Sequence, residues 1–136
     1  MIMYELFEHK ADIGIRGIGS SLEEAFAEGA KAMFSVMVDI DKVKPVKSIA
    51  IACSAENDEE LFVEFLNRLL AEATINEMVF SKFIVQIRDH GLKGTAKGEK
   101  LNFEKHNIKT EVKAATYSQL KIERNKKFIA QCIVDV

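Results

Sequence analysis

Apolar residues recur every three or four positions in two stretches of the chain and alternate with polar residues in most of the rest. In the first helical stretch, Leu22, Phe26 and Met37 fall on one face. Just before it, Ser20 and Ser21 each precede a glutamate by three residues, a doubled capping-box signature. The pattern predicts a helix from about residue 21 to about residue 37.

A second helix is predicted after Asn57, because Asn is a good N-cap and Glu60 follows three residues later. Glu64 and Arg68 have the spacing of an i,i+4 ion pair on its outer face. The apolar stripe that defines this helix consists of Leu61, Phe62, Phe65, Leu66, Leu69 and Leu70.

The remaining pattern has a period of two and predicts strands. They cover residues 3–7, 13–18, 46–54, 82–88, 92–98, 120–123 and 128–135, with turns at Asp89-His90-Gly91 and Asn125-Lys126. Hairpin-linked strands and two helices predict an α+β fold, a two-layer sandwich with both helices on one side of a mainly antiparallel sheet. With one proline and no serine- or glycine-rich tract, we expect residues 1–136 to form a single domain.

Charge is distributed unevenly along the chain. The first 90 residues carry 9 Lys and Arg against 16 Asp and Glu, whereas residues 91–136 carry 10 against 5. The basic part could face an acidic partner or a phosphate backbone, but a solvated lysine-rich sheet face is the favoured interpretation. The sequence contains no basic-then-apolar leader and no apolar run of membrane-spanning length, so we expect a cytoplasmic protein.

Common catalytic patterns are poorly supported by the sequence. His9, His90 and His106 are scattered without zinc-ligand spacing, and no glycine-rich phosphate loop precedes a helix. Cys53 and Cys132 lie among apolar neighbours, which favours reduced core thiols over a nucleophile. Taken alone, these residues do not indicate an enzyme.

Carboxylates near the two ends of the sequence are the remaining candidates. Asp12 follows a break between two strands, and Asp135 precedes Val136 with its terminal carboxylate. If the fold brings them together, three carboxylates form an oxygen site for a hard cation. On spacing alone, a turn residue is the favoured interpretation of Asp12, and a solvated terminal charge is the favoured interpretation of Asp135. Lys113, within a small apolar stretch, has a solvated strand-edge position as its simplest interpretation.

Several segments, in this order, together resemble the archease family over nearly the whole chain. They are Phe7–Gly14, Ser21–Phe26, Met33–Asp39, Gly98-Glu99, His106, Thr110–Tyr117 and Ile133–Val136. The resemblance implies an α+β fold related to a small strand–helix–strand–strand module. The order of predicted elements also hints at such a nested or duplicated module.

The resemblance also implies a function in tRNA splicing. Archeases activate the RNA ligase that uses GTP to join 2′,3′-cyclic-phosphate (3′-phosphate) ends to 5′-hydroxyl ends. They promote guanylylation of the ligase's active-site histidine and its multiple turnover, and perform no bond chemistry themselves. The ligase is then the protein partner, and tRNA is contacted only indirectly. A chaperone-like or direct RNA-binding module in tRNA processing is the alternative.

The family's metal site maps onto Asp12, Asp135 and Val136, with a divalent cation, calcium, as the expected cofactor. Lys113 would contact the ligase or a phosphate. Whether His9 or Asp39 joins the site is left open. For Asp39 the simple interpretation is a loop residue at the end of the first helix.

Overall fold

The computed structural model covers Met1–Val136 and contains eight strands, three α-helices and one 3-10 helix. In chain order these are β1 (Met3–His9), β2 (Asp12–Gly19), α1 (Leu22–Met37), the 3-10 helix (Ile40–Lys42), β3 (Lys47–Ser54), α2 (Asp58–Asn76), β4 (Met78–Arg88), β5 (Gly91–Lys100), α3 (Phe103–His106), β6 (Ala114–Ala115), β7 (Lys121–Arg124) and β8 (Phe128–Asp135). No helix combines the length and hydrophobicity needed to cross a membrane.

The strands form two antiparallel sheets. The five-stranded sheet has the order β1-β2-β8-β6, with β7 also paired to β8, and the three-stranded sheet has the order β3-β5-β4. The predicted α+β class is confirmed. The sequence pattern did not divide the strands between two sheets, because period-two alternation shows which face is buried but not which strands pair.

Side-chain caps fix the starts of both long helices. The Ser21 hydroxyl accepts a hydrogen bond from the Glu24 N–H at 3.1 Å, and the Glu24 carboxylate accepts one from the Ser20 N–H at 2.8 Å. Asn57 caps α2 by accepting from the Glu60 N–H at 2.9 Å. Each cap satisfies an N–H group that has no partner within the helix, so the predicted helix starts are confirmed.

Arg68 on α2 forms its ion pair with a residue other than the predicted Glu64. Arg68 pairs with Glu72 at 3.1 Å and not with Glu64, which is exposed. The Glu72 carboxylate is also held by the Asn76 amide at 3.0 Å, so it offers Arg68 a fixed partner. The predicted Glu64–Arg68 pair was therefore wrong.

The core lies between the helices and the inner faces of the two sheets. Helix α1 packs on β2 and β8 of one sheet and on β4 of the other, while α2 packs mainly on β3. Two aromatic contacts connect these layers: Phe26 lies 5.0 Å from Phe62 between ring centres, and Phe34 lies 5.5 Å from Phe80. The helices thus join the two sheets into one core.

Two glycines let α1 pack closely on its neighbours, Gly17 against β2 and Gly29 against α2. A Cβ atom on Gly17 would overlap the Ala25 carbonyl oxygen and the Gly29 backbone nitrogen. A Cβ on Gly29 would in turn lie 2.6 Å from the Phe62 ring. Backbone atoms cannot rotate away as a flexible side chain can, so the spacing between helix and strand is set at Gly17.

We expect Gly17→Ala to lower the free energy of unfolding by about 3 kcal/mol, because the helix must move away from the sheet. Urea denaturation followed by circular dichroism measures this change. Gly91→Ala is the matched control, since its nearest contact would be the Arg88 carbonyl oxygen at 3.2 Å in an exposed hairpin. Equal stability of the Gly17→Ala protein and the wild type would contradict this packing account.

Candidate functional site

Asp12 and Asp135 are brought together by the pairing of β2 with β8. Asp12 is the first residue of β2 and Asp135 is the last residue of β8. The antiparallel register pairs Ile13 with Val134, so one further step places Asp12 across from Asp135. Directly opposite residues in such a ladder have Cα atoms about 4.5–5.5 Å apart and side chains on the same face.

His9 extends this row onto the neighbouring strand. In the β1–β2 hairpin His9 is the register partner of Asp12. The turn between them is Lys10-Ala11, and Lys10 has a φ of 56°. His9 thus lies beside Asp12, whereas the sequence alone left its place open.

Lys113 is connected to the same end of the sheet through its backbone. Its N–H donates to the Asp135 carbonyl oxygen at 2.8 Å, and the next residue, Ala114, is the register partner of Asp135. The Lys113 side chain is exposed. Strands β2, β8 and β6 therefore place Asp12, Asp135 and Lys113 at one end of three adjacent strands.

The carboxylates at this end have no protein partners. Asp12 is half-buried and Asp135 is exposed, and neither side chain forms a hydrogen bond or an ion pair. No three His, Cys, Asp or Glu side chains anywhere in the structure form a cluster able to hold a metal ion. A site here would therefore use two side chains and the carboxylate of Val136, which is half-buried. All three are oxygen donors, the type that Ca²⁺ and Mg²⁺ prefer.

Asp39 and Asp41 lie in the segment after α1, and Asp39 contacts other groups there. The Asp39 N–H donates to the His106 carbonyl oxygen at 2.9 Å, and its carboxylate lies 3.9 Å from the Lys42 ammonium. Asp41 is exposed within the 3-10 helix. Asp39 thus belongs to the loop that packs against α3, in agreement with its simple interpretation.

A largely apolar groove of about 990 Å³ adjoins Lys113. It runs between the C-terminal half of α2, the start of β4 and the segment before β6, and its rim carries the exposed side chains of Ile75 and Phe103, each 73% accessible. Sequence reasoning missed it, because the helical period places Ile75 off the apolar stripe and Phe103 stands isolated between polar residues. The signal in the sequence was these two large apolar residues, one off the apolar stripe of the helix and one between polar neighbours.

A buried histidine anchors the segment around α3. His106 is fully buried, and its Nδ1 accepts from the Asn102 N–H at 3.0 Å. Its Nε2 therefore carries the proton and donates to Glu99 at 2.9 Å. Lys105 and the Lys44 N–H also donate to the Glu99 carboxylate, each at 2.8 Å. Burial alone would raise the pKa of Glu99, but these donors together lower it to about 2.

We expect Glu99→Gln to destabilise the protein by about 2 kcal/mol at neutral pH, after allowance for solvent screening. Because the folded-state pKa of about 2 lies below the ordinary 4.5, the ionised carboxylate stabilises the fold above pH 4.5. This contribution is lost as the pH falls from 4.5 towards 2. The difference in the free energy of unfolding between the wild type and Glu99→Gln should therefore shrink over this pH range. Urea unfolding at several pH values measures it. Glu56→Gln, at an exposed loop position, is the control, and a difference independent of pH would contradict the account.

The two cysteines are structural. Burial raises the pKa of the Cys132 thiol to about 12 and also raises that of the half-buried Cys53. Both thiols are free, and neither is held as a reactive thiolate at neutral pH. The interpretation of Cys132 as a core residue is confirmed by its complete burial.

The fold and the β2–β8 register describe a small α+β protein in which the start of β2 lies beside the end of the C-terminal strand β8. Residues 4–136 match the model of the Archease protein family (MTH1598/TM1083). The chain belongs to the archease family.

Similar proteins cover the whole chain. The protein archease of Pyrococcus abyssi is 43% identical over 142 residues, and that of Sulfurisphaera tokodaii is 40% identical over 139, each covering 100% of both chains. The solution structure of Methanobacterium thermoautotrophicum protein 1598 has a TM-score of 0.84 and 35% identity, covering 98% of both chains. A Thermotoga maritima crystal structure, described as an archease and possible chaperone, has a TM-score of 0.63 and 24% identity, covering 97% of this chain and 96% of that one.

Proposed function

We propose that this protein is a cytoplasmic accessory activator of the tRNA-splicing RNA ligase. That ligase uses GTP to join 2′,3′-cyclic-phosphate (3′-phosphate) ends to 5′-hydroxyl ends. In this proposal the protein promotes guanylylation of the ligase's active-site histidine and its multiple turnover, and it catalyses no step itself. Membership of the archease family supports the proposal. The observation that carries it is the gathering of Asp12, Asp135 and Lys113 at one end of three adjacent strands.

The carboxylates of Asp12, Asp135 and Val136 would hold a divalent cation, calcium in this proposal. Two aspartates directly opposite each other repel, and neither has a cationic partner in the protein. A bound cation would neutralise them and leave coordination positions open to an oxygen donor of the partner. Because Asp135 is exposed, the site faces outwards and is accessible to a second macromolecule.

Lys113 is the second functional element in this proposal. Its backbone is fixed to β8 by the hydrogen bond to Asp135, whereas its ammonium extends freely into solvent and forms no ion pair. A lysine held in this way can contact an anionic group of the ligase or a phosphate next to the cation site. The apolar groove beside Lys113 offers the partner an adjoining surface.

We expect Asp12→Asn and Asp135→Asn each to weaken Ca²⁺ binding by about tenfold or more, because each removes one anionic oxygen ligand. Isothermal titration calorimetry measures this. Extending the chain beyond Val136 with a tag should have a similar effect, because the terminal carboxylate becomes an amide. Asp41→Asn changes the same charge at an exposed position and should leave the affinity unchanged. Equal affinity of tagged and untagged protein would remove Val136 from the site.

The same aspartate variants separate two roles for the cation. If it acts on the ligase, the folded variants should lose stimulation in a multiple-turnover ligation assay with the ligase and GTP, at a Ca²⁺ concentration that fills the wild-type site and leaves theirs largely empty. If it only joins the start of β2 to the end of β8, these variants should stimulate normally and unfold at a lower temperature. Full stimulation without cation binding would exclude delivery of the cation to the ligase.

We expect Lys113→Ala to abolish most of the stimulation of ligation while leaving Ca²⁺ affinity unchanged, because only a contact to the partner is removed. Lys126→Ala, in the turn at the opposite end of β8, removes the same charge and should stimulate like the wild type. Initial rates at several concentrations of the protein measure the effect. Retained stimulation by Lys113→Ala would remove this residue from the functional set.

A chaperone-like activity is the second candidate. The exposed Ile75 and Phe103 side chains at the rim of the apolar groove favour it, since such groups bind apolar segments of other proteins. The Thermotoga relative is also described as a possible chaperone. Light scattering of the heated ligase, with and without this protein, tests the candidate. Suppressed aggregation without stimulated turnover would favour it over activation.

A further inference from the structure

The solvent-facing side of the three-stranded sheet is basic. Phe83 and Val85 on β4 and Leu92 and Ala96 on β5 are buried, so the residues that alternate with them face outwards. These outward residues are Lys82, Ile84, Gln86 and Arg88 on β4, Lys93, Thr95 and Lys97 on β5, and Ser48, Ala50, Ala52 and Ser54 on β3. We refer to this surface as the basic face, and its four cations are Lys82, Arg88, Lys93 and Lys97.

The basic face contains no compensating acid. Residues 48–54, 82–88 and 91–97 include neither Asp nor Glu, and none of the four cations forms an ion pair. Glu99, two residues beyond Lys97 on β5, is already held by Lys105 and His106. From Lys82 to Arg88 the strip runs about 20 Å along the strands.

The positions of the lysines are not explained by sheet stability. Lys82 is the direct register partner of Lys97, and like charges in this arrangement destabilise a sheet. Lysines on an edge strand often prevent aggregation, which accounts for Lys82 on β4. The same reason does not apply to Lys93 and Lys97, because β5 is the central strand.

The shape of the basic face suits a polymer backbone. Its outward β3 residues are only Ser and Ala, so a bound chain can lie close to the sheet. A shallow depression of about 630 Å³ lies between Arg88, Lys93 and Ser54, with Asp89 of the adjoining turn as its only acidic lining residue. Arg, Lys, Ser, Thr and Gln side chains are the usual donors to phosphate oxygens.

We propose that the basic face binds the phosphate backbone of RNA without reading its sequence. The absence of aromatic residues from the face excludes base stacking, which leaves phosphate contacts as the source of affinity. A protein partner would need apolar or aromatic anchors, and Ile84 is the only large apolar residue here. The proposal rests on the proposed function only in naming RNA as the polyanion, and it assigns the RNA a direct contact with this protein.

The test compares two variants that each remove three positive charges. One is Lys82→Gln, Lys93→Gln and Lys97→Gln on the basic face. The other is Lys121→Gln, Lys126→Gln and Lys127→Gln at the β7–β8 hairpin. Fluorescence anisotropy of labelled oligouridylate and of the matching DNA oligomer, without ligase, gives the affinity between about 50 and 200 mM salt.

We expect the basic-face variant to lose about tenfold or more in affinity at the lowest salt and to lower the salt slope by about 2. The hairpin variant should bind like the wild type, and RNA and DNA should bind alike, because phosphate contacts do not read the 2′-hydroxyl. Replacing the same three lysines of the basic face with arginine keeps the positive charge and should keep the affinity for RNA. This control shows that a loss of affinity in the glutamine variant comes from the lost charge and not from misfolding.

Unchanged binding by the basic-face variant would overturn the proposal, as would loss confined to the hairpin variant. If the basic-face variant binds RNA normally but no longer stimulates the ligase, the basic face contacts the ligase and not RNA. Because the binding assay contains no ligase, its result is independent of the activator function. Loss of RNA binding with full stimulation would support the face and leave the activator function intact.

Discussion

The antiparallel pairing of β2 with β8 is the constraint on which the rest of the structure depends. It joins residues more than a hundred positions apart and places Asp12 across from Asp135. The same two strands form part of the surface on which α1 packs, and the approach at Gly17 sets that distance. The fold and the candidate site therefore both depend on the β2–β8 register. A one-residue slip would turn the apolar side chains of the strand away from the core and would also separate the two carboxylates.

Local features of this chain could be predicted from sequence and long-range ones could not. The caps of α1 and α2 depend on residues three positions apart, so Ser21 and Asn57 identified both helix starts. The division into two sheets and the short α3 depend on contacts distant in sequence. The partner of Arg68 was missed because Glu72 is fixed by Asn76, which spacing alone does not reveal.

The candidate site, too, could be predicted only in part from the sequence. Bare spacing left Asp12 and Asp135 as ordinary turn and terminal charges, and only the resemblance to archeases joined them to Val136 and Lys113. The β2–β8 register then explains why Asp12 and Asp135 lie together. The basic face could not be predicted from the distribution of charge along the sequence. Two of its cations, Lys82 and Arg88, lie on β4 in the acidic first 90 residues, whereas Lys93 and Lys97 lie on β5 in the basic remainder.

Mapping the Ca²⁺ site by NMR tests the central claim most directly. In a titration of the ¹⁵N-labelled protein, we expect amide shifts to concentrate at residues 9–13, 113–114 and 134–136, in the β1–β2 turn and at the adjoining ends of β6 and β8. Shifts at the acidic start of α2 instead, or no saturable shifts at all, would contradict the assignment of a cation site to the end of the sheet where Asp12 and Asp135 lie.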